Sequence, residues 1–176
     1  MAKAVLVVDM INEFVTGKFG SRRARAIVPA VVSLCSRARS GGVPVFYVRD
    51  AHKPGDPELR VWGNHAMEGT QASGIVDQLS PQPGDAVFDK RQFSGFQNTA
   101  LDASLRARGV DTIYFAGIST DICVQHNVAD AFYRGYRTVV VEECVESISA
   151  RTKATALKYM ENIYGSKITQ LSKVKF

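Results

Sequence analysis

Short, continuous apolar runs recur along the chain at residues 4–9, 43–50, 86–90, 112–118, 138–143 and 167–171, most of them rich in β-branched side chains. Unbroken rather than alternating hydrophobicity is what strands covered on both faces require, so these runs predict a parallel sheet. The segments between them change period. Ile27, Val31, Leu34, Cys35 and Ala38 fall on one helical stripe, and Val124, Val128, Ala131 and Phe132 repeat that spacing before Gly135 ends the helix. Two further helices are predicted over 98–109 and 150–165, each closed by glycine. Strand and helix alternate along most of the chain. The expected fold is therefore an α/β three-layer sandwich with crossover helices on both faces of the sheet. Residues 51–80 break the alternation with a Gly-, Pro- and His-containing stretch of weak periodicity, the mark of a functional loop region. With no repeat, linker or low-complexity tract, 176 residues are read as a single domain.

Composition removes several classes of function. No apolar run approaches the roughly 20 residues of a membrane span, and the N-terminal run reads as a first strand rather than a signal peptide. The net charge of +5 comes from scattered basic residues, with residues 21–26 the one tight cluster, and no nucleic-acid-binding module accompanies it. Cys35, Cys123 and Cys144 form no C-x-x-C pair. An odd count without an export signal points to a reducing cytoplasm and free thiols.

In an open α/β sheet, ligands bind at the carboxyl ends of the strands. The residues expected there are Asp9, Asp50, Lys90, the Ile118–Ser119–Thr120 turn with Cys123, and Glu142/Glu143. Asp9 stands where a dinucleotide-binding domain would need its glycine-rich turn, which argues against that class. Cys123 is placed in the first turn of a helix capped by Ser119 or Thr120, where the dipole and a neighbouring Lys90 favour thiolate. Asp9 could take and return a proton, and the N–H groups of Ser119 and Cys123 could face an oxyanion. His126, one turn beyond Cys123, is a rival base. A second constellation joins Asp50 and His52, two apart at a strand end, with His65. One carboxylate and two imidazoles suit a divalent metal, zinc in the first place and iron or manganese as options. Glu58 is a less favoured fourth ligand. Trp62, the single tryptophan, could stack on a planar ring.

Three of these stretches, VVDMINEF with Asp9, DKRQFSGFQNTALD with Lys90 and GISTDICVQHNVADAFYRGY with Cys123, together resemble the isochorismatase-like cysteine hydrolases over roughly residues 3–171. Within that family the segment from Asp50 to His65 is similar to the metal motif of nicotinamidases and pyrazinamidases. The resemblance implies a six-stranded, mainly parallel sheet, an Asp9–Lys90–Cys123 triad and a cis peptide at Ile118–Ser119. It also implies a homo-oligomer, and a pocket for a small amide in which Phe14 and Trp62 flank the ring and Ile118 contributes. Members that hydrolyse isochorismate lack the cysteine. N-carbamoylsarcosine amidase-like members keep the triad without the metal set. The activity implied is cysteine-dependent hydrolysis of a small carboxamide to acid and ammonia. The alternatives are a carbamoyl-amide hydrolase and an idle binding protein on the same scaffold.

Overall fold

A computed structural model of the chain describes residues 2–176. The six apolar runs form six strands: β1 (Ala2–Val8), β2 (Val45–Asp50), β3 (Ala86–Lys90), β4 (Val110–Ile118), β5 (Arg137–Glu146) and β6 (Lys167–Thr169). They lie in one sheet of order β3-β2-β1-β4-β5-β6, and all five pairings are parallel. The helices are α1 (Asn12–Val15), α2 (Arg22–Ser40), α3 (Leu59–Trp62), α4 (Leu101–Ala107), α5 (Gln125–Tyr133) and α6 (Ala150–Tyr164).

Successive side chains of a strand point to opposite faces, and β1 shows why a double layer of helices is needed. Val5 and Val7 pack into one core with Ile27, Val31, Leu34 and Cys35 of α2. Ala4, Leu6 and Val8 enter the other core, with Leu105 of α4, Val128 of α5 and Met160 of α6. Phe132, expected on the buried stripe of α5, is instead 41% exposed and meets Tyr133 and Tyr164 at the surface.

Strand order reverses between β1 and β4, so their carboxyl ends diverge into a crevice, the usual ligand site of such sheets. β1 and β4 approach closely beside it: Gly117 has φ +123°, and a Cβ there would stand 1.9 Å from the Val8 carbonyl oxygen. Only glycine fits that position. The long insert after β2 is tied to the same edge. The Ala66 carbonyl accepts from the His52 N–H, the His52 carbonyl from the Glu68 N–H, and the Met10 carbonyl from the Val76 N–H. Among the described residues no helix is long and apolar enough to cross a membrane.

β5 runs three residues past its expected end. Its pairing with β4 slips, so that Phe115 faces Val140 but Gly117 faces Val145. Glu142 and Glu143 therefore lie on an irregular, exposed stretch, and Glu143 accepts from the Leu171 N–H far from the crevice. The acidic residue that β5 delivers to the crevice is Glu146.

Candidate active site

Asp9, Lys90 and Cys123 come from the ends of three different elements and meet. Lys90 is 1% exposed, which no lone ammonium would tolerate. Its Nζ lies 2.8 Å from Asp9 Oδ2, contacts Asp50 Oδ1 and stands 3.7 Å from Cys123 Sγ. Asp9, at φ 52°, turns out of β1, and its Oδ1 accepts from the Asp50 N–H at 2.8 Å. Donor atoms of Asp9, Asp50 and Cys123 all lie within 4.8 Å of one another. Asn127, which the sequence did not single out, is fully buried and fastens the cysteine's surroundings. Its Nδ2 donates to the Cys123 and Phe93 carbonyls, and its Oδ1 accepts from the Gly95 N–H.

One ammonium here faces two carboxylates, so the cluster is anionic before any thiolate forms. Burial and the Asp50 charge push Asp9 up to about 6 despite the counter-pull of Lys90. Burial pushes Asp50 up too, but Lys90 and His52 outweigh it and hold that carboxyl below its ordinary range. Burial alone would lower Lys90; the charges of Asp50 and Asp9 reverse this and keep it protonated. Burial pushes the Cys123 thiol well up, Lys90 opposes this, and Asp9 and Asp50 reinforce it. The expectation of a resting thiolate is thus corrected: the sulfur rests as a thiol beside a carboxylate able to receive its proton.

The expected helix cap also differs. Residues Thr120–Val124 form a π-helical turn leading into α5. Ser119 Oγ donates to Asp121 Oδ1, and Thr120 Oγ1 is buried without a partner. The wide turn lets the Ser119 carbonyl accept from the N–H groups of Ile122 and Val124, each at 3.1 Å, and pass over that of Cys123 between them. The Ile118–Ser119 peptide is cis. His126 is exposed, its Nδ1 2.7 Å from the Ile122 carbonyl and its ring against Phe93, so it does not reach the cluster.

Asp50, His52 and His65 converge as well, joined by Glu58, and the donor atoms of all four lie within 4.8 Å of one another. His52 Nε2 is buried with no partner, 3.6 Å from Asp50 Oδ2 and 3.7 Å from Glu58 Oε2. Burial and the Asp50 charge push the Glu58 carboxyl up to about 7. A bare imidazole nitrogen and crowded carboxylates form a donor set that fits a divalent cation of the zinc type. Glu58 is thus placed with the other three donors, six residues after His52 and at the start of α3.

Both groups open onto one cavity of about 460 Å³. Phe14, Trp62 and Ile118 line it as expected, and Phe19 and Phe93 add two aromatic walls that sequence reasoning did not single out. Phe19 stands edge-on to both His65 and Trp62. Ser119, Asp121, Glu146 and Ser147 line the far end. Ser147 Oγ donates to Asp121 Oδ1, and Glu146 is held by Arg23 at 2.7 Å. No Lys or Arg is among the lining residues.

The isochorismatase domain model matches residues 3–171. The N-carbamoylsarcosine amidase of Thermoplasma acidophilum superposes with a TM-score of 0.94 at 40% identity, each chain covered in full. The pyrazinamidase of Pyrococcus horikoshii, solved in complex with zinc, gives a TM-score of 0.89 at 25% identity over 97% of this chain and 99% of that one. The ureidoacrylate amidohydrolase RutB of Rhizobium rhizogenes is 31% identical over 92% of this chain and 78% of its own length. A six-stranded parallel sheet with its buried cluster at the β1–β4 crevice, and a domain match spanning residues 3–171, make this chain a member of the isochorismatase family.

Proposed function

We propose that the protein is a cysteine-dependent amidohydrolase that converts a small, uncharged aromatic carboxamide of the nicotinamide type to acid and ammonia. The observation that carries this reading is the meeting of Asp9, Lys90 and Cys123, with Cys123 lining an aromatic-walled cavity. Perturbed ionisable groups gathered in a cleft are the signature of a reacting centre.

Asp9 takes the thiol proton as the carbonyl carbon comes within reach of Cys123 Sγ, and the sulfur adds to that carbon. The carbonyl oxygen gains negative charge and rests on the N–H groups of Ser119 and Cys123. Asp9 returns the proton to the amide nitrogen, the C–N bond breaks, and ammonia leaves behind a thioester on Cys123. Water then adds to the thioester with Asp9 again as base, releasing the acid and the free thiol. Lys90 keeps Asp9 ionised in the resting state and offsets charge on the sulfur. Asp50, His52, Glu58 and His65 would hold the divalent cation. That ion, when bound, supplies a Lewis-acidic contact for a ring nitrogen, another polar group of the substrate, or a water. Phe14, Trp62 and Ile118 frame the ring.

A second reading, hydrolysis of an N-carbamoyl amino acid, has the 40% identity to the Thermoplasma amidase in its favour. Such substrates bring a carboxylate, which needs a cationic partner when buried. No Lys or Arg lines the cavity, Arg23 is engaged by Glu146 and Lys18 by the Trp62 and Asn64 carbonyls, so the divalent cation would be the one partner left for it. Ammonia release from nicotinamide, pyrazinamide and N-carbamoylsarcosine separates the readings. Turnover of the first two above the third is expected. The reverse order overturns the substrate class, and no ammonia from any amide returns the protein to the idle-scaffold reading.

A further inference from the structure

The last strand residue of β3, Lys90, enters the reacting cluster, and the next residue, Arg91, leaves in another direction to grip Asp56. Arg91 Nε donates to both Asp56 oxygens, at 2.9 and 3.0 Å, and its Nη2 also donates to Oδ1. Asp56 is 3% exposed. Its Oδ2 accepts from the Lys53 N–H at 2.9 Å and lies 3.2 Å from His52 Nδ1. A carboxylate held this way only accepts, so Nδ1 of His52 must carry the ring proton. That leaves Nε2, the buried nitrogen without a partner, to face Asp50 and Glu58. With both oxygens occupied by Arg91, the Lys53 amide and His52, Asp56 is kept from joining the donor set itself.

We infer that Asp56, clamped by Arg91, is a positioning residue that fixes the tautomer and direction of His52 and thereby sets the affinity of the four-residue site for a divalent cation. This rests on the metal-site part of the proposed function and not on the identity of the amide. His65 is set by a different device, its Nδ1 lying 2.8 Å from the Gly63 carbonyl. A backbone acceptor cannot be tuned by substitution, whereas the Asp56–Arg91 pair can. Outer partners of this kind commonly change metal affinity about 10–100-fold when removed.

The test is zinc titration of chelator-stripped, full-length protein against a chromophoric chelator, alongside nitrogen NMR of the histidine rings in the metal-free state. Asp56→Asn should weaken zinc binding by about 10–100-fold, and Arg91→Gln, which leaves the carboxylate in place, by less than about tenfold. Wild-type His52 should read as protonated on Nδ1, and Asp56→Asn should erode that preference. Asp56 also closes its own turn, and a role confined to that would leave the tautomer unmoved. If Asp56→Asn does not fold, Arg91 is half exposed and its variant carries the test. Equal zinc affinity in wild type and variants, or a His52 with no proton on Nδ1, overturns the positioning role alone. A wild-type protein that binds no zinc overturns the metal site with it, and ammonia release reports separately on the amidase.

Discussion

Replacing Lys90 by methionine keeps the length and apolar stem of the side chain and removes its charge. Two buried carboxylates are then left facing each other and a thiol. At an effective dielectric constant of about 20, the 2.8 Å contact with Asp9 alone amounts to about 6 kcal/mol of attraction before desolvation is counted. Deleting one partner of a buried ion pair costs a net of about 3–5 kcal/mol, because the other charge stays behind uncompensated. Native domains hold only about 5–15 kcal/mol in total, so the loss is a large fraction of the fold's stability. Urea unfolding at pH 7.5 in the presence of a chelator measures it directly. Lys90→Met should lower the midpoint by an amount corresponding to about 3–5 kcal/mol with the slope unchanged, and turnover should fall with it. Adding Asp9→Asn removes the like-charge contact, so the double variant should be more stable than Lys90→Met by about 0.5–3 kcal/mol. A single-variant loss under about 1 kcal/mol, the range of an exposed salt bridge, would refute the buried-cluster reasoning. So would a double variant less stable than the single one.

Other substitutions probe how the crevice is built. Gly117→Ala puts a Cβ on the Val8 carbonyl at a positive φ; soluble yield and thermal midpoint should collapse, the loss exceeding about 4 kcal/mol. Asn127→Leu strips a partner from the Gly95 N–H and frees two carbonyls. A loss of about 2–4 kcal/mol by urea unfolding is expected, with KM rising as the Phe93 wall relaxes. The raised Cys123 thiol leaves a smaller thiolate fraction than an ordinary cysteine at every pH. Iodoacetamide should therefore label Cys123 more slowly than a free thiol at pH 7 and faster as pH climbs toward 10; fast labelling at pH 6 would show a thiolate already formed.

The parallel sheet was legible because β1, β2 and β4 are buried on both faces and need unbroken apolar runs, a pattern local in sequence. The reacting residues were legible for a topological reason: carboxyl ends of parallel strands share one edge, so Asp9, Lys90 and Cys123 could be gathered without knowing any distance. The insert after β2 announced itself by breaking the alternation. What sequence could not carry depends on pairing across loops. Asp56 and Arg91 are 35 positions apart and gain meaning only when the β3 end meets the loop after β2. Asn127 sits at a helical position where a polar residue looks solvated, and two of its three bonds exist only because the Phe93–Gly95 loop packs there. The slip in β5 was hidden because exposed Glu142 and Glu143 imitate a strand end. The thiol's protonation turned on a charge count, one ammonium against two carboxylates, which needs Asp50 to lie beside Asp9.

Acid-quenching the enzyme during turnover of nicotinamide or pyrazinamide, followed by peptide mass spectrometry, tests the central assignment most directly. The peptide holding Cys123 should carry the mass of the substrate's acyl group, an adduct missing from Cys123→Ser protein, which should also lose most turnover. An acyl group on another residue, or ammonia release at the wild-type rate without the Cys123 sulfur, would contradict the account.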